Sequence, residues 1–537
     1  MKLFIGLIFF LAISFAADAQ TIPFGYDLKI VPKNIPNFPG VHSFAYGQSG
    51  GKWVIIGGRR DGLHARQPNS SFPAASNNSN IFVIDPVTEQ YWSAPLNALP
   101  TGIAEQLQST NMNFHQDADT LYIIGGYAYS ATNVDHITFP NLTSISVSGL
   151  INSIISGASI TPYFKQITNQ NFAVTGGHLA HLDGFYYLVG GHRFDGRYNP
   201  MGNATYVQTY VDGIRKFKLN NSGNQLSYSN YSVSLDQVNL HRRDYNLVPQ
   251  IFPNGEEGFM ISSGVFQVGI NLPFLYPVEI RSSGHTPIPS FNQYLSNYHS
   301  PAVGLYDSIS NSMHSLFFGG MSQYYYSNGT LVQDDAVPFV KTISRVSRDL
   351  NGQLQEVVFP NELPALLGAG GEFISNMQVP TAPNEVVLLN QITADSVQIG
   401  HLVGGIVSPQ LNPFSVNNTG VTAASNGIYE VWLKKSQTSE LVALDGSNPF
   451  SVTVFPNPAK EEIHFNLKQP FSGNLQLFVS DLEGRIVFKK DFVAAGKQEF
   501  MVNQQETGLN AGIYTFHFVF DGKFSRMEKV VLLESEK

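Results

Sequence analysis

Six short apolar runs along this chain end in a pair of glycines or a close equivalent. They are Val54–Gly58, Leu121–Gly126, Tyr186–Gly191, Phe259–Gly264 (ending Ser262-Ser263-Gly264), Leu316–Gly320 and His401–Gly405. The first residue of each pair, from Gly57 to Gly404, follows the one before at intervals of 56 to 85 residues. A unit repeated at such spacing cannot bury its own apolar face and must stack on its neighbours, as in a radial array of small sheets. Glycine weakens a strand interior, so its return at one position marks a close approach of backbones.

The repeat extends past the glycines. Gly50-Gly51 makes a hairpin turn before Trp53–Ile56, Ile81–Ile84 reads as a third strand, Asp85-Pro86 turns, and Tyr91-Trp92 opens a fourth. Further third strands are expected at Gly213–Leu219, Val340–Val346 and Ile428–Leu433. No segment before Asp445 shows sustained helical periodicity. The Glu256-Glu257 pair sits in a hairpin and reads as a solvated turn.

The pattern of strand, Gly-Gly, loop, strand with Asp-Pro, then outer aromatic resembles the Kelch-type β-propeller family over residues 20–445. The resemblance implies an all-β fold: a six-bladed ring closed by an N-terminal strand, Tyr26–Val31, added to the last blade. It also implies that the loops leaving the Gly-Gly strands gather on one face.

Both chain ends bear on location. Lys2, the apolar stretch Leu3–Ala16 and the small-x-small site Ala17-Asp18-Ala19 before Gln20 form an export signal, residues 1–19. The stretch is shorter than the roughly 20 residues a membrane-spanning helix needs, and no second one follows, so no transmembrane segment is expected in the mature chain. A linker is expected at 446–450 and a separate β-sandwich domain at 451–537. That domain carries Val454-Phe455-Pro456-Asn457-Pro458-Ala459, Asp481-Leu482-Glu483-Gly484-Arg485, Leu509–Tyr514 (with Gly512) and Lys529-Val530-Val531. These motifs resemble the type A C-terminal sorting domain that Bacteroidetes use for type IX secretion. The implied partner is that secretion machinery, and the implied location is outside the cell or on the outer-membrane surface.

Composition removes several chemistries. With no cysteine among 537 residues there is no disulfide framework and no Cys-linked tyrosine of the galactose-oxidase kind. A net charge of −9 leaves no basic stripe for nucleic acid. No nucleophile elbow, His-Glu-x-x-His helix or phosphate-cradling loop occurs. His178 and His181 lie three apart on a strand or turn, which does not bring two imidazoles onto one metal. No metal site and no cofactor are expected.

Candidate ligand-binding residues lie on the Gly-Gly loops and the segments entering the same face: Arg59, Arg60, Asp61, His64, Tyr127, His178, His192, Arg193, Asp195, Arg243, His299 and Tyr325. Two readings stand. Arginines from several blades form a two-pronged clamp for a carboxylate, with tyrosines stacking on a sugar. Alternatively, each Arg-Asp pair is a salt bridge fixing its own loop. The first suits a surface or secreted module that binds a glycan or a protein. The Kelch resemblance adds an enzymatic alternative, a sialic acid mutarotase type, in which His192 or His64 with Asp61 or Asp195 supplies general acid–base help.

Overall fold

The computed structural model describes residues 22–202, 205–327, 329–436, 442–444, 452–482, 484–520 and 524–534. The export signal with its Ala19–Gln20 cleavage site, and the linker at 446–450, lie outside the described residues.

The structure is a six-bladed propeller followed by a small β domain. The first four blades are antiparallel sheets whose four strands run outward in chain order. The first blade pairs Ala45–Ser49, Lys52–Ile56, Asn80–Asp85 and Gln90–Pro95; the next three repeat this plan between Asn113 and Pro287. The fifth is built on Ala302–Asp307, Ser312–Met321, Phe339–Arg348 and Leu354–Glu362. In the sixth, Leu366–Ser375, Ser396–Ser408 and Ile428–Lys435 take their outer strand from the other end of the ring, Tyr26–Lys33. Tyr26 lies opposite Lys435 and Lys33 opposite Ile428, so the closing strand is paired along its whole length.

The six doublets share one backbone shape. Their first residues have φ between 50° and 68° and their second between 80° and 97°, Ser263 and Gly264 included. Two consecutive left-handed residues turn the chain out of its strand, a conformation glycine adopts without cost. A side chain on Gly125 would also overlap the Val174 carbonyl, one on Gly319 the Leu367 carbonyl and one on Gly404 the Val41 carbonyl. In each case the obstacle is the segment entering the following blade. The second residue's amide bonds to that segment: Gly58 to Ser109, Gly126 to Val174, Gly191 to Arg242 and Gly405 to Val41, at 2.8 to 3.0 Å. The doublets are the joints between blades.

Two features depart from the sequence reading. Helices occur at Thr101–Leu107 and Val147–Ser156, the second burying Val147, Leu150, Ile151 and Ile154 between the first two blades. Glu256 is not simply solvated, because it accepts a hydrogen bond from Arg281 at 2.8 Å. The loops after the second and third doublets also form a sheet of their own over that face, ordered Tyr206–Tyr210, His192–Gly196, Asp135–Thr138, Tyr127–Ser130. In the tail, Val452–Phe455, Glu462–Ser480, Ile486–Asn503, Gly512–Phe520 and Phe524–Leu532 join in one sheet around one apolar core. Breaks in register, such as that between Asn466 and Phe471, mark bulges that bend its long strands.

Candidate functional site: an axial channel

At the centre of the ring, one residue from each blade joins a closed circle of backbone hydrogen bonds. Asn111 donates to Ser43, Gly176 to Asn111, Asp244 to Gly176, His299 to Asp244, Gly370 to His299, and Ser43 back to Gly370, at 2.6 to 3.1 Å. All but His299 have positive φ. This hub stands at the doublet end of the axis, just before the innermost strands of the first five blades begin and within Leu366–Ser375 of the sixth.

Beneath it the innermost strands enclose a channel of about 500 Å³. The channel narrows to a recess of about 20 Å³ against the hub, where His178, His299 and Glu372 meet Ser43 and Asp244. It widens away from the hub towards Gln48, Asp117 and Ala118, at the hairpin turns of the opposite face. Volume and mixed lining are those of a small-molecule site.

The narrow end holds the strongest chemistry. His299 Nε2 lies 3.3 Å from Glu372 Oε1. Burial opposes charge on His299, but the Glu372 carboxylate outweighs it and raises the imidazole above its ordinary range. The His178 ring sits 5.1 Å from that of His299, nearly perpendicular to it. His178 Nε2 is 2.7 Å from the Tyr245 carbonyl. A carbonyl only accepts, so Nε2 carries the proton and Nδ1 keeps its lone pair. Burial, helped by His299, lowers His178 to about 3, so it is neutral at pH 7.

Farther out, His115 is pushed down to about 4 by burial and by His181, whose ring is 6.1 Å away. Tyr186 donates to Asp117 at 3.0 Å and lies against His181. Tyr46 crosses the channel wall, donating to the Phe373 carbonyl at 2.9 Å. Burial, with Glu385 and Glu372, holds its phenol well above the usual range. The Ser300 hydroxyl is buried in the wall with no hydrogen-bond partner among the described residues.

Of the residues singled out from sequence, the structure brings His178 and His299 into this channel. The others lie on the doublet face. Arg59 is 2% exposed and forks onto Asp61 at 2.5 and 2.8 Å, with Asn77 as a further partner. Burial alone would raise Asp61, but His42 and Arg59 hold it far below the usual carboxylate range. Arg193 forks onto Asp195 at 2.8 to 3.1 Å, while Arg60 is exposed. Arg243 reaches the hub and pairs with Asp244 at 2.7 Å. His64 stacks on Phe72 and is lowered to about 4 by burial. His192 bonds Gln208 at 2.8 Å. Tyr127 donates to the Gly196 carbonyl at 2.8 Å, and Tyr325 is half-buried in the hairpin opposite Val332.

Glu372, Tyr46, His115, Asp117, Ser300 and Glu385 escaped the sequence reading. The available signal was position: they sit on or beside the innermost strands, ahead of the doublets rather than after them.

A family model for the secretion system C-terminal sorting domain matches residues 453–533. The tail is a type IX sorting domain. It directs the chain to export and to a secreted or cell-surface location, and it implies interaction with the type IX machinery. No helix among the described residues is long and apolar enough to cross a membrane.

In the sorting domain, Asn457, held between Pro456 and Pro458, behaves as a piece of strand. Its side chain donates to the Lys529 carbonyl at 2.7 Å and accepts from the Val531 amide at 2.9 Å. Gly512 pairs with Leu532, and Tyr514 donates to the Asn510 carbonyl at 3.1 Å. Gly484 faces the ring. Its carbonyl accepts from the Gln237 amide at 2.9 Å, and an added Cβ would lie 2.5 Å from the Asp236 Cα.

No curated protein matches this chain. Among solved structures, one titled "Structure of YjhT" aligns at 11% identity and a TM-score of 0.42, covering 77% of this chain and 99% of that one.

Proposed function

We propose that the ring, residues 20–445, is a Kelch-type propeller that binds a small glycan-type ligand in its axial channel after export. The observation carrying this reading is the channel itself: about 500 Å³, lined by the aromatic residues Tyr46 and Phe114 and by imidazoles. Aromatic faces suit the apolar side of a sugar ring, and neutral imidazoles suit its hydroxyls. The channel is favoured over the loop-rich face because the arginine forks there already hold carboxylates of their own blades. Export itself begins with removal of residues 1–19, and mass spectrometry of the mature chain is expected to start at Gln20.

Calorimetric titration with neutral mono- and disaccharides tests the site. Binding is expected, and His178→Ala should weaken it about tenfold or more, the loss of one or two buried hydrogen bonds. Saccharide binding unchanged in that variant would overturn the channel assignment.

The paired His299 and Glu372 support a second reading, a mutarotase-type enzyme. Ring opening of a sugar hemiacetal needs a proton taken from one oxygen and given to another, and a poised imidazole beside a carboxylate can do both. NMR exchange between anomers should then be accelerated by the protein, and His299→Gln should abolish the acceleration.

A further inference from the structure

Resting on the channel reading above, we propose that the channel's ligand carries a protonated amine rather than a carboxylate. Three carboxylates line the cavity: Asp117, Glu372 and Glu385. Among the described residues no lysine or arginine does so. His115 and His178 are neutral at pH 7 for the reasons already given, and the charge on His299 is matched by Glu372. Histidines apart, the cavity's ionisable side chains other than tyrosine are therefore all acidic, and its narrow, protein-walled shape concentrates their field.

Glu385 is the group that makes the argument specific. It lies in the wider part of the channel, at a left-handed position with φ of 70°. It is exposed at this wider end, and its carboxylate has no ion pair or hydrogen bond among the described residues. A carboxylate at the channel's mouth with no cation of its own can take an arriving ammonium as a charge-assisted hydrogen-bond donor.

The uncharged lining fits the same guest. An ammonium has three donors and no acceptor. The wall offers an acceptor in the lone pair of His178 Nδ1. Tyr46 and Phe114, which also line the channel, can add cation–π attraction, which strengthens as water is removed. A carboxylate guest would meet three acidic side chains and no lysine or arginine. An amino sugar, or a sugar linked to an amine, combines both requirements.

The test is calorimetry on the full chain at pH 7 with D-glucosamine, D-glucose, D-glucuronate and putrescine. Glucosamine is expected to bind about tenfold more tightly than glucose, one charge-assisted contact, with glucuronate weakest of the three. Glu385→Gln should erase most of the glucosamine advantage over glucose, with circular dichroism and the urea midpoint showing that the variant is folded. Glucuronate binding as tightly as glucosamine, or an advantage untouched by Glu385→Gln, overturns the proposal. Putrescine binding without any sugar would remove the glycan reading and keep the charge inference. Failure of both amines to bind would overturn the inference, whatever glucose does.

Discussion

The Ser43 amide donates to the Gly370 carbonyl at 2.6 Å, and this single bond closes a circle of six that begins and ends on the first blade. Residues 327 positions apart in the chain become neighbours on one axis. The pairing of Tyr26–Lys33 with Ile428–Lys435 seals the same seam at the rim, so the ring is fastened at both its inner and outer radius.

The doublets are joints, so a methyl group at one of them should cost more than its backbone angle alone. Gly125 and Gly184 both have left-handed φ, 68° and 73°, but only Gly125 faces another blade's carbonyl. Gly184→Ala should destabilise the protein by about 1–2 kcal/mol, the left-handed penalty. Gly125→Ala should exceed that by at least about 1–2 kcal/mol, as overpacking does. Denaturant midpoints of the two variants check the difference; equal losses would refute the joint.

His299 should titrate above the ordinary histidine range in the folded protein, because the Glu372 carboxylate favours its charged form. In Glu372→Gln burial, which opposes the charge, is left against only the weaker pull of Asp244. The titration midpoint should therefore fall below about 6.5, the unperturbed value. NMR of the imidazole ring carbons reads this directly.

Glu356 is fully buried and accepts from the Tyr294 and Leu295 amides, and burial pushes its carboxyl up to about 8. Between about pH 4.5 and 8 the folded chain holds a proton there that the unfolded chain has released. Stability should consequently fall as pH rises through that window, by on the order of 3 kcal/mol. Glu356→Gln should flatten this slope, as seen in urea midpoints at pH 5 and pH 8.

Asn457 clamps the start of the sorting domain to its last strand through two hydrogen bonds. Asn457→Leu removes both, and the secreted fraction of the protein is expected to drop several-fold. Immunoblots of medium against cells measure it, and Lys460→Ala serves as an exposed control.

The repeat was legible because the blade joint has a stereochemical requirement only glycine meets easily, so it left a mark six times. Ser263 shows how a copy survives without it: the residue keeps φ at 58°, and its hydroxyl donates to the Phe274 carbonyl at 2.6 Å. The closing strand was legible only through the resemblance, which implies an N-terminal strand added to the last blade. The helix Val147–Ser156 was missed although Val147, Leu150, Ile151 and Ile154 have helical spacing; its valine, isoleucines, serines and glycine read as strand and turn. The channel left no motif. Its residues come singly from different blades, and only closure of the ring brings Glu372 to His299 across 73 positions of sequence.

The hub circle runs in one rotational sense, every amide pointing to the blade before it. Head-to-tail peptide dipoles arranged as a closed loop lie along the tangent and sum to nearly nothing on the axis, unlike the aligned peptides of a helix terminus. The floor of the cavity is thus electrically quiet. Whatever enters is sorted by side chains alone, and evolution can retune that selectivity one blade at a time without disturbing the seam that keeps the wheel shut.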